Sequence, residues 1–266
     1  MIDAVNVHST YLLPLSAHSE EALYKLAQSY LELLSRDNSP ALYDVTYCTS
    51  VQREHYPVRL AMVADSKSEM ISHLHSYLKG QTGLIETSTA SSPQETKLVF
   101  VFTGMGPQWW AMGRELFQKE PVYRKVLEKC DSIFRDMSGW SIVDEILKGK
   151  EESKMRDIQV AQPANFILQA GLSALWNAWG IKPSAIAGHS VGEVTAAYVS
   201  GALSLEDAIC VIYHRSRVQK KVAGKGKMLA LGLSEKDCIE LISRYSKDRV
   251  LIAAINSPNS VTLSGD

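Results

Sequence analysis

Ala185–Ala197 reads AIAGHSVGEVTAA. A short apolar run, Ala185–Ala187, enters Gly188. Ser190 stands two places on, Gly192 two places after that, and helix-forming residues come next. The order is strand, G-x-S-x-G, helix. The glycines permit a sharp turn and remove side chains that would collide with its neighbours. The hydroxyl is then exposed at the sheet edge, and the following amides point toward whatever it attacks. The five-residue pattern alone is weak, since an ordinary tight turn can carry it. The strand before and the helix after supply the context of a nucleophile elbow, and with it an α/β fold class. His189 is not the base for Ser190, because adjacent residues in such a turn project in different directions. A packing or hydrogen-bonding role is expected for it.

The chain has 266 residues, enough for one large domain or two of ordinary size. A formal net charge of −1 without any block of like charge argues against nucleic acid or a membrane surface as partner. The apolar runs are of strand length, too short to span a bilayer. MIDAVNVHSTYLLPL has no basic start and no signal-peptide core, so a cytoplasmic location is expected. Cys48, Cys130, Cys210 and Cys238 are far apart and read as reduced thiols, and His73 and His75 are wrongly spaced for a helical metal site. No metal is expected.

Ser19-Glu20-Glu21 ahead of Leu23, Leu26, Tyr30 and Leu33–Leu34 predicts a capped amphipathic helix. Tyr43–Cys48 and Val58–Val63 predict strands, and Ser66–Leu78 a second helix. This small α/β unit is closed by Thr87–Thr96, TSTASSPQET, the most linker-like stretch in the chain. A boundary there gives domains 1–93 and 94–266. Lys97–Phe102 (KLVFVF) predicts a strand covered on both faces, followed by Gly104–Gln108 and a helix carrying Met112, Leu116 and Phe117. Helices are expected near Pro121–Met137 and Ala164–Trp179, the second opened by Gln162-Pro163 with the proline in its first turn. Ser204–Asp207 is a capping-box start for another helix. The end reads as strand Lys227–Gly232, helix Glu235–Tyr245, and strands Val250–Ile255 and Ser260–Leu263, a small appended sheet.

A tetrahedral intermediate on Ser190 needs two backbone donors. Val191 N–H is one, and Gly104–Gln108 is the best source of the other, although that loop can also be a plain strand-to-helix connection. Arg215 bears on the substrate. On a helix from Leu205, Ala208, Val211, Ile212, Val218 and Val222 share a face, with Arg215 in the middle of it. Such a guanidinium either snorkels or clamps a carboxylate held beside Ser190.

FTGMGPQW at Phe102–Trp109, QPA at Gln162–Ala164, GHSVGE at Gly188–Glu193 and HRSR at His214–Arg217 occur in that order. Together they resemble the acyltransferase (malonyl-CoA:ACP transacylase-like) domains of type I polyketide synthases and animal fatty acid synthases. LLPLSAHSEEAL at Leu12–Leu23 resembles the linker joining ketosynthase to acyltransferase, and NSPNSVTLSGD at Asn256–Asp266 resembles strands of the family's ferredoxin-like subdomain. The resemblance implies a small α/β linker domain, then an α/β-hydrolase-like core to about residue 224, then the start of a ferredoxin-like subdomain over 225–266. It implies that Ser190 accepts the acyl group and that Met105 and Val191 give oxyanion N–H groups. Arg215 would hold a free carboxylate, with Gln162 in a supporting substrate-binding role. The implied reaction moves a malonyl or related unit from CoA, through a seryl ester, to the phosphopantetheine of an acyl carrier protein. Acyl-CoA is then a substrate and no cofactor is resident; the partners are the carrier protein and ketosynthase domains of the same megasynthase. The family's general-base histidine falls beyond Asp266, which implies a C-terminally truncated acyltransferase of weak activity.

Two other classes compete. A serine esterase or thioesterase shares the elbow but leaves Arg215 unexplained. An inert docking fragment is expected to have lost Ser190 or Arg215, and both are present. Polyketide against fatty acid synthesis stays open at this level, as does malonyl against methylmalonyl, with Val191 leaning toward malonyl.

Overall fold

The computed structural model describes residues 10–81, 85–89 (backbone alone), 97–106, 108–244 and 249–265. Two compact units divide the chain, Met1–Thr96 and Lys97–Asp266. Of the sequence expectations, the start of the N-terminus, residues 90–96 of the linker, Pro107, Tyr245 and Asp266 lie outside the described residues.

The first unit runs β1 (Tyr11–Ala17), α1 (Glu20–Leu34), α2 (Leu42–Val51), β2 (Val58–Ala64), α3 (Lys67–Leu78) and β3 (Ile85–Thr89). Its strands form an antiparallel sheet in the order β1-β2-β3. Helix α1 begins at its expected cap, where Ser19 Oγ accepts from Ala22 N–H, and α3 at Ser66, whose Oγ accepts from Glu69 N–H, both at 3.2 Å. Alternate residues of two strands, Leu13 and Leu15 with Leu60 and Met62, pack against Leu23, Ala27, Met70 and Leu74 of the helices. Pro14 is tolerated because β1 is an edge strand.

Two expectations fail here. Tyr43–Cys48 is helix, inside α2. Leu42, Val45, Thr46 and Thr49 are its buried residues, an i, i+3, i+4, i+7 spacing whose helical period overrides the strand-favouring side chains. Thr87–Thr89 is not linker but part of β3, where Thr87 pairs with Leu60. Its threonines suit a strand, and the Ser/Pro-rich composition is confined to Ser91–Pro93 further along.

The second unit runs β4 (Val99–Phe102), α4 (Arg114–Lys119), α5 (Pro121–Ser138), α6 (Ile142–Leu147), α7 (Ile158–Ala178), β5 (Ala185–Gly188), α8 (Gly192–Val199), α9 (Leu205–Val222), β6 (Lys227–Leu231), α10 (Glu235–Ile242), β7 (Val250–Ser257) and β8 (Ser260–Gly265). β4 and β5 pair in parallel, with α8 packed on both. Helices α5, α7 and α9 pack on one another around Tyr123, Leu127, Phe134, Phe166 and Ile212. The last three strands form an antiparallel sheet in the order β6-β8-β7, with Cys238 of α10 buried against Val261 and Leu263, the β-α-β-β subdomain the sequence predicts.

Three details differ from expectation. Asp157 accepts from Gln159 N–H at 2.9 Å and caps α7 at Ile158, so Pro163 is interior and costs one i→i−4 bond rather than opening the helix. The buried face around Val160 and Ala161 carries the helix through that loss. KLVFVF is covered on one side only among the described residues, since Val99 and Val101 are 50% and 65% exposed while Phe102 is buried. The helix after the Gly104 loop starts at Arg114, because Gly113 adopts a left-handed φ of 73° and leaves Met112 in the turn ahead. Among the described residues no helix is long and apolar enough to cross a membrane, and no cluster of His, Cys, Asp and Glu could hold a metal ion.

The start of α6 hangs on Asp131 of α5. Its buried carboxylate accepts from Ser141 Oγ at 2.9 Å, Ile142 N–H at 2.7 Å and Val143 N–H at 3.1 Å, and pairs with Arg135 at 2.9 Å. Asp131→Ala leaves buried donors without an acceptor and is expected to cost about 2–4 kcal/mol. The measurement is the urea midpoint at unchanged slope. A shift below about 0.5 kcal/mol would show that water replaces the carboxylate.

Candidate active site

The site exists because two parallel strands end together. The β4–β5 ladder runs from Val99↔Ala185 to Phe102↔Gly188, and His189 N–H extends it by donating to the Phe102 carbonyl at 2.9 Å. The loop after β4 and the turn after β5 therefore leave the sheet at one edge, side by side. The two elbow glycines are required by close approach. A Cβ on Gly192 would lie 2.1 Å from the Phe102 carbonyl oxygen, and one on Gly188 would lie 2.6 Å from Glu193 Cα. Helix α8 thus sits on the end of β4 with no room for a side chain. Gly104 packs against the serine from the other side, at a distance that would put a Cβ 3.1 Å from Ser190 Cβ.

Ser190 has a φ of 55°, and among the described residues no other non-glycine takes a positive φ. Such a conformation costs about 1–3 kcal/mol and lasts only where the surroundings impose it. Here the imposed turn leaves Ser190 exposed at the sheet edge.

The backbone around it is arranged for an anion. Gly192 N–H donates to His189 C=O at 2.9 Å, Glu193 N–H to Ser190 C=O at 3.2 Å and Val194 N–H to Val191 C=O at 3.2 Å. Among the described residues neither Val191 N–H nor Met105 N–H has an acceptor. These are the two amides that the family resemblance pairs. One follows the serine, and the other follows Gly104, which packs against it, so both are unpaired donors beside Ser190.

Arg215 reaches the elbow from α9. Its Nη2 donates to Ser190 Oγ at 3.2 Å, and its Nη1 to Gln162 Oε1 at 2.6 Å and Gln219 Oε1 at 3.4 Å. Gln162, fully buried on α7, also donates through Nε2 to Gln219 Oε1. Burial pulls the guanidinium below its ordinary pKa, while the negative charge of Glu193 acts in the opposite direction. Arginine stays cationic throughout. Among the described residues it pairs with no carboxylate, so its charge is open to an incoming anion.

The expected placement of Arg215 is wrong in one respect. The buried face of α9 is Leu205, Ala208, Ile209, Ile212 and Ser216, whereas Val211, Val218 and Val222 are exposed. Arg215 lies at the margin of the packed face, beside Ala208, rather than at the centre of an apolar stripe. Surface valines are ordinary, so their alignment does not locate the core. The margin is what lets the guanidinium turn toward the serine.

Sequence reasoning missed Gln219 and Gln169. Gln219 stands one turn beyond Arg215 and shares Gln162. Gln169 of α7 donates from Nε2 to the Thr103 carbonyl at 2.8 Å and accepts from Thr195 Oγ1 at 2.8 Å. One signal was available: Gln162 and Gln169 lie seven apart, on the same face of an otherwise apolar helix.

Residues 99–266 match the family described as acyl transferase domain, and residues 11–74 match that described as CurL-like, PKS C-terminal. The chain is 36% identical to a highly reducing polyketide synthase of Sordaria araneosa, an alignment covering 96% of this chain and 9% of that protein. It is 43% identical to the squalestatin tetraketide synthase of a Phoma species across 65% of this chain and 7% of the relative. The crystal structure of the acyltransferase domain from module 8 of the salinomycin polyketide synthase is similar with a TM-score of 0.85 at 29% identity. That match covers 97% of this chain and 60% of the solved one. The chain therefore spans less than a tenth of these curated relatives' length.

The contact at Gly192 generates a stability test. Gly192→Ala drives a methyl into the Phe102 carbonyl and is expected to cost more than about 3 kcal/mol, since backbone cannot yield as a side chain does. Gly232→Ala is the control, with open space around the added Cβ and an expected change within about 0.5 kcal/mol. The two are compared by thermal melting. Equal melting temperatures would mean that α8 moves off β4 without penalty.

Proposed function

The chain belongs to the acyl transferase domain family, and from that premise we propose that Ser190 carries the acyl group while Arg215 selects one with a free carboxylate. Malonyl or a close relative is the unit, and polyketide synthesis is the setting that the relatives support. The observation that carries the reading is the 3.2 Å contact between Arg215 Nη2 and Ser190 Oγ, made by a cation with no carboxylate partner among the described residues. An arginine in contact with the nucleophile can bind the far end of a three-carbon diacid while its thioester carbonyl meets the hydroxyl.

The chemistry then runs in two halves. Ser190 Oγ attacks the thioester carbonyl of acyl-CoA, and the oxygen that gains charge is received by Val191 and Met105 N–H. CoA leaves as its thiol and a seryl ester remains. The phosphopantetheine thiol of an acyl carrier protein attacks that ester and regenerates Ser190. Among the described residues no histidine is hydrogen-bonded to Ser190 Oγ, and the proton that the hydroxyl gives up ends on the departing CoA sulfur. The first unit, whose residues 11–74 match a polyketide synthase segment, is read as the connection to a ketosynthase domain, with the whole working in the cytoplasm. Gln162 and Gln219 orient Arg215. No resident cofactor enters the scheme.

Two outcomes test this in the complete parent synthase. Brief exposure to malonyl-CoA should give one malonyl adduct by intact mass, absent in Ser190→Ala; an adduct that persists in the mutant removes Ser190 from its role. Arg215→Ala should lose malonyl transfer steeply and spare acetyl transfer, because acetyl carries no charge to leave unpaired. Breaking a charge-assisted pair of this kind costs about 2–5 kcal/mol, so the malonyl-to-acetyl ratio of kcat/KM should fall roughly a hundredfold. Equal losses on both substrates would make Arg215 a structural residue and favour the hydrolase reading.

A further inference from the structure

We propose that Gln169 is a positioning residue that sets the spacing between the two oxyanion donors. It rests on the acyl-transfer reading only for the identity of the substrate. Gln169 is 8% exposed and lies within α7. The orientation of its amide is dictated by its partners. A carbonyl can only accept, so the NH₂ end faces Thr103 at 2.8 Å, and the oxygen end receives the hydroxyl of fully buried Thr195 at 2.8 Å. Thr103 immediately precedes Gly104-Met105, and Thr195 stands one helical turn after Val191. One side chain therefore ties the loop bearing Met105 N–H to the helix bearing Val191 N–H.

The tie has work to do because the sheet stops short of the loop. Beyond Phe102↔Gly188 the ladder continues only through His189 N–H to the Phe102 carbonyl, among the described residues. Thr103–Gly106 has no strand partner there. The first turn of α8 abuts the same place, since a Cβ on Gly192 would lie 2.8 Å from the Thr103 carbonyl oxygen. If the Gln169 donor is removed, that partly buried carbonyl loses its partner and turns toward water, and the adjacent amides rotate with it. Gln169 bonds to neither Ser190 nor Arg215. Its loss therefore slows the chemical step and leaves carboxylate binding intact.

The test uses Gln169→Met, Gln169→Glu and Thr195→Val in the complete synthase, with two readouts. One is the number of Ser190 sites acylated by malonyl-CoA and the rate per site. The other is the rate at which a fluorophosphonate labels Ser190. That probe needs the oxyanion donors but presents no carboxylate; the Oγ–P bond forms as fluoride leaves. Gln169→Met should keep nearly all sites and a KM for malonyl-CoA within about twofold. Its rate per site should fall about 10- to 100-fold, the effect of misplacing an oxyanion donor by about 1 Å, with labelling slowed in proportion. Gln169→Glu should work when protonated, because its O–H can donate to Thr103 while its C=O accepts from Thr195. Burial raises a carboxyl pKa, so this variant should regain rate as pH falls and lose it as pH rises, which Gln169→Met cannot do. Thr195→Val severs half of the tie with little change of shape and should show a smaller slowing. A wild-type rate per site in Gln169→Met, or fewer sites at normal rate, overturns the proposal in favour of simple packing. If Gln169→Met gives no titratable site, Thr195→Val decides, and a wild-type rate there overturns it equally. A wild type that malonyl-CoA fails to acylate, with labelling still slowed in Gln169→Met, would defeat the substrate reading and leave the tie standing.

Discussion

The first turn of α8 rests directly on the last residue of β4, with backbone against backbone at Gly192 and Phe102. The geometry of the site follows from that approach. It demands a glycine on each side of Ser190, and it bends the chain so sharply that Ser190 is held at a φ of 55°. It also uses the first N–H groups of α8 in tight turns and leaves Val191 N–H without an acceptor among the described residues. Exposure of the hydroxyl and availability of the amide are therefore one structural event. The strain at the serine is sustained by the ladder Val99–Phe102 with Ala185–Gly188, which positions both ends of the turn.

The side chains that hydrogen-bond Arg215 are neutral, and Glu193 is the charged residue that acts on it from nearby. Arg215 is held by two glutamines, and Gln162 and Gln219 bond to each other as well. Amide oxygens orient a guanidinium without cancelling its charge. The contrast within the same unit is Arg135, which is matched by Asp131 at 2.9 Å in a cluster whose role is to hold α6 in place. A cation compensated by a carboxylate serves structure. Arg215, cradled by amides beside an exposed serine, pairs with no carboxylate among the described residues, and the desolvation imposed on it would strengthen any pairing with an incoming anion.

Helix α7 links these features. It carries Gln162 toward Arg215, Gln169 toward the elbow and the loop, and Phe166 and Ile167 into the core shared with α5 and α9. The polar residues of the site are thus mounted on an element whose other contacts are core packing, which is how a short two-stranded sheet can present a defined constellation.

What the sequence determined by itself is local. The elbow was legible because its glycines, serine and flanking residues are consecutive, and a turn of that kind constrains only its immediate neighbours. The caps at Ser19 and Ser204 were legible for the same reason, each being a side chain bonded three residues along its own chain. α2 was misread because strand propensity spoke louder than a burial pattern that only the packed core reveals. The face of α9 was misread because surface and core valines look alike until α5 and α7 choose between them. Gln169 and Gln219 were invisible as functional residues because their meaning depends on partners far away in sequence: Thr103 lies 66 positions from Gln169, and Gln162 lies 57 from Gln219. A hydrogen bond across such a distance leaves no periodic trace in the chain. Ser190 and its turn are written in their own neighbourhood, whereas the side chains that hold Arg215 and tie Thr103 to Thr195 are decided only when α7, α8 and α9 close around the end of the sheet.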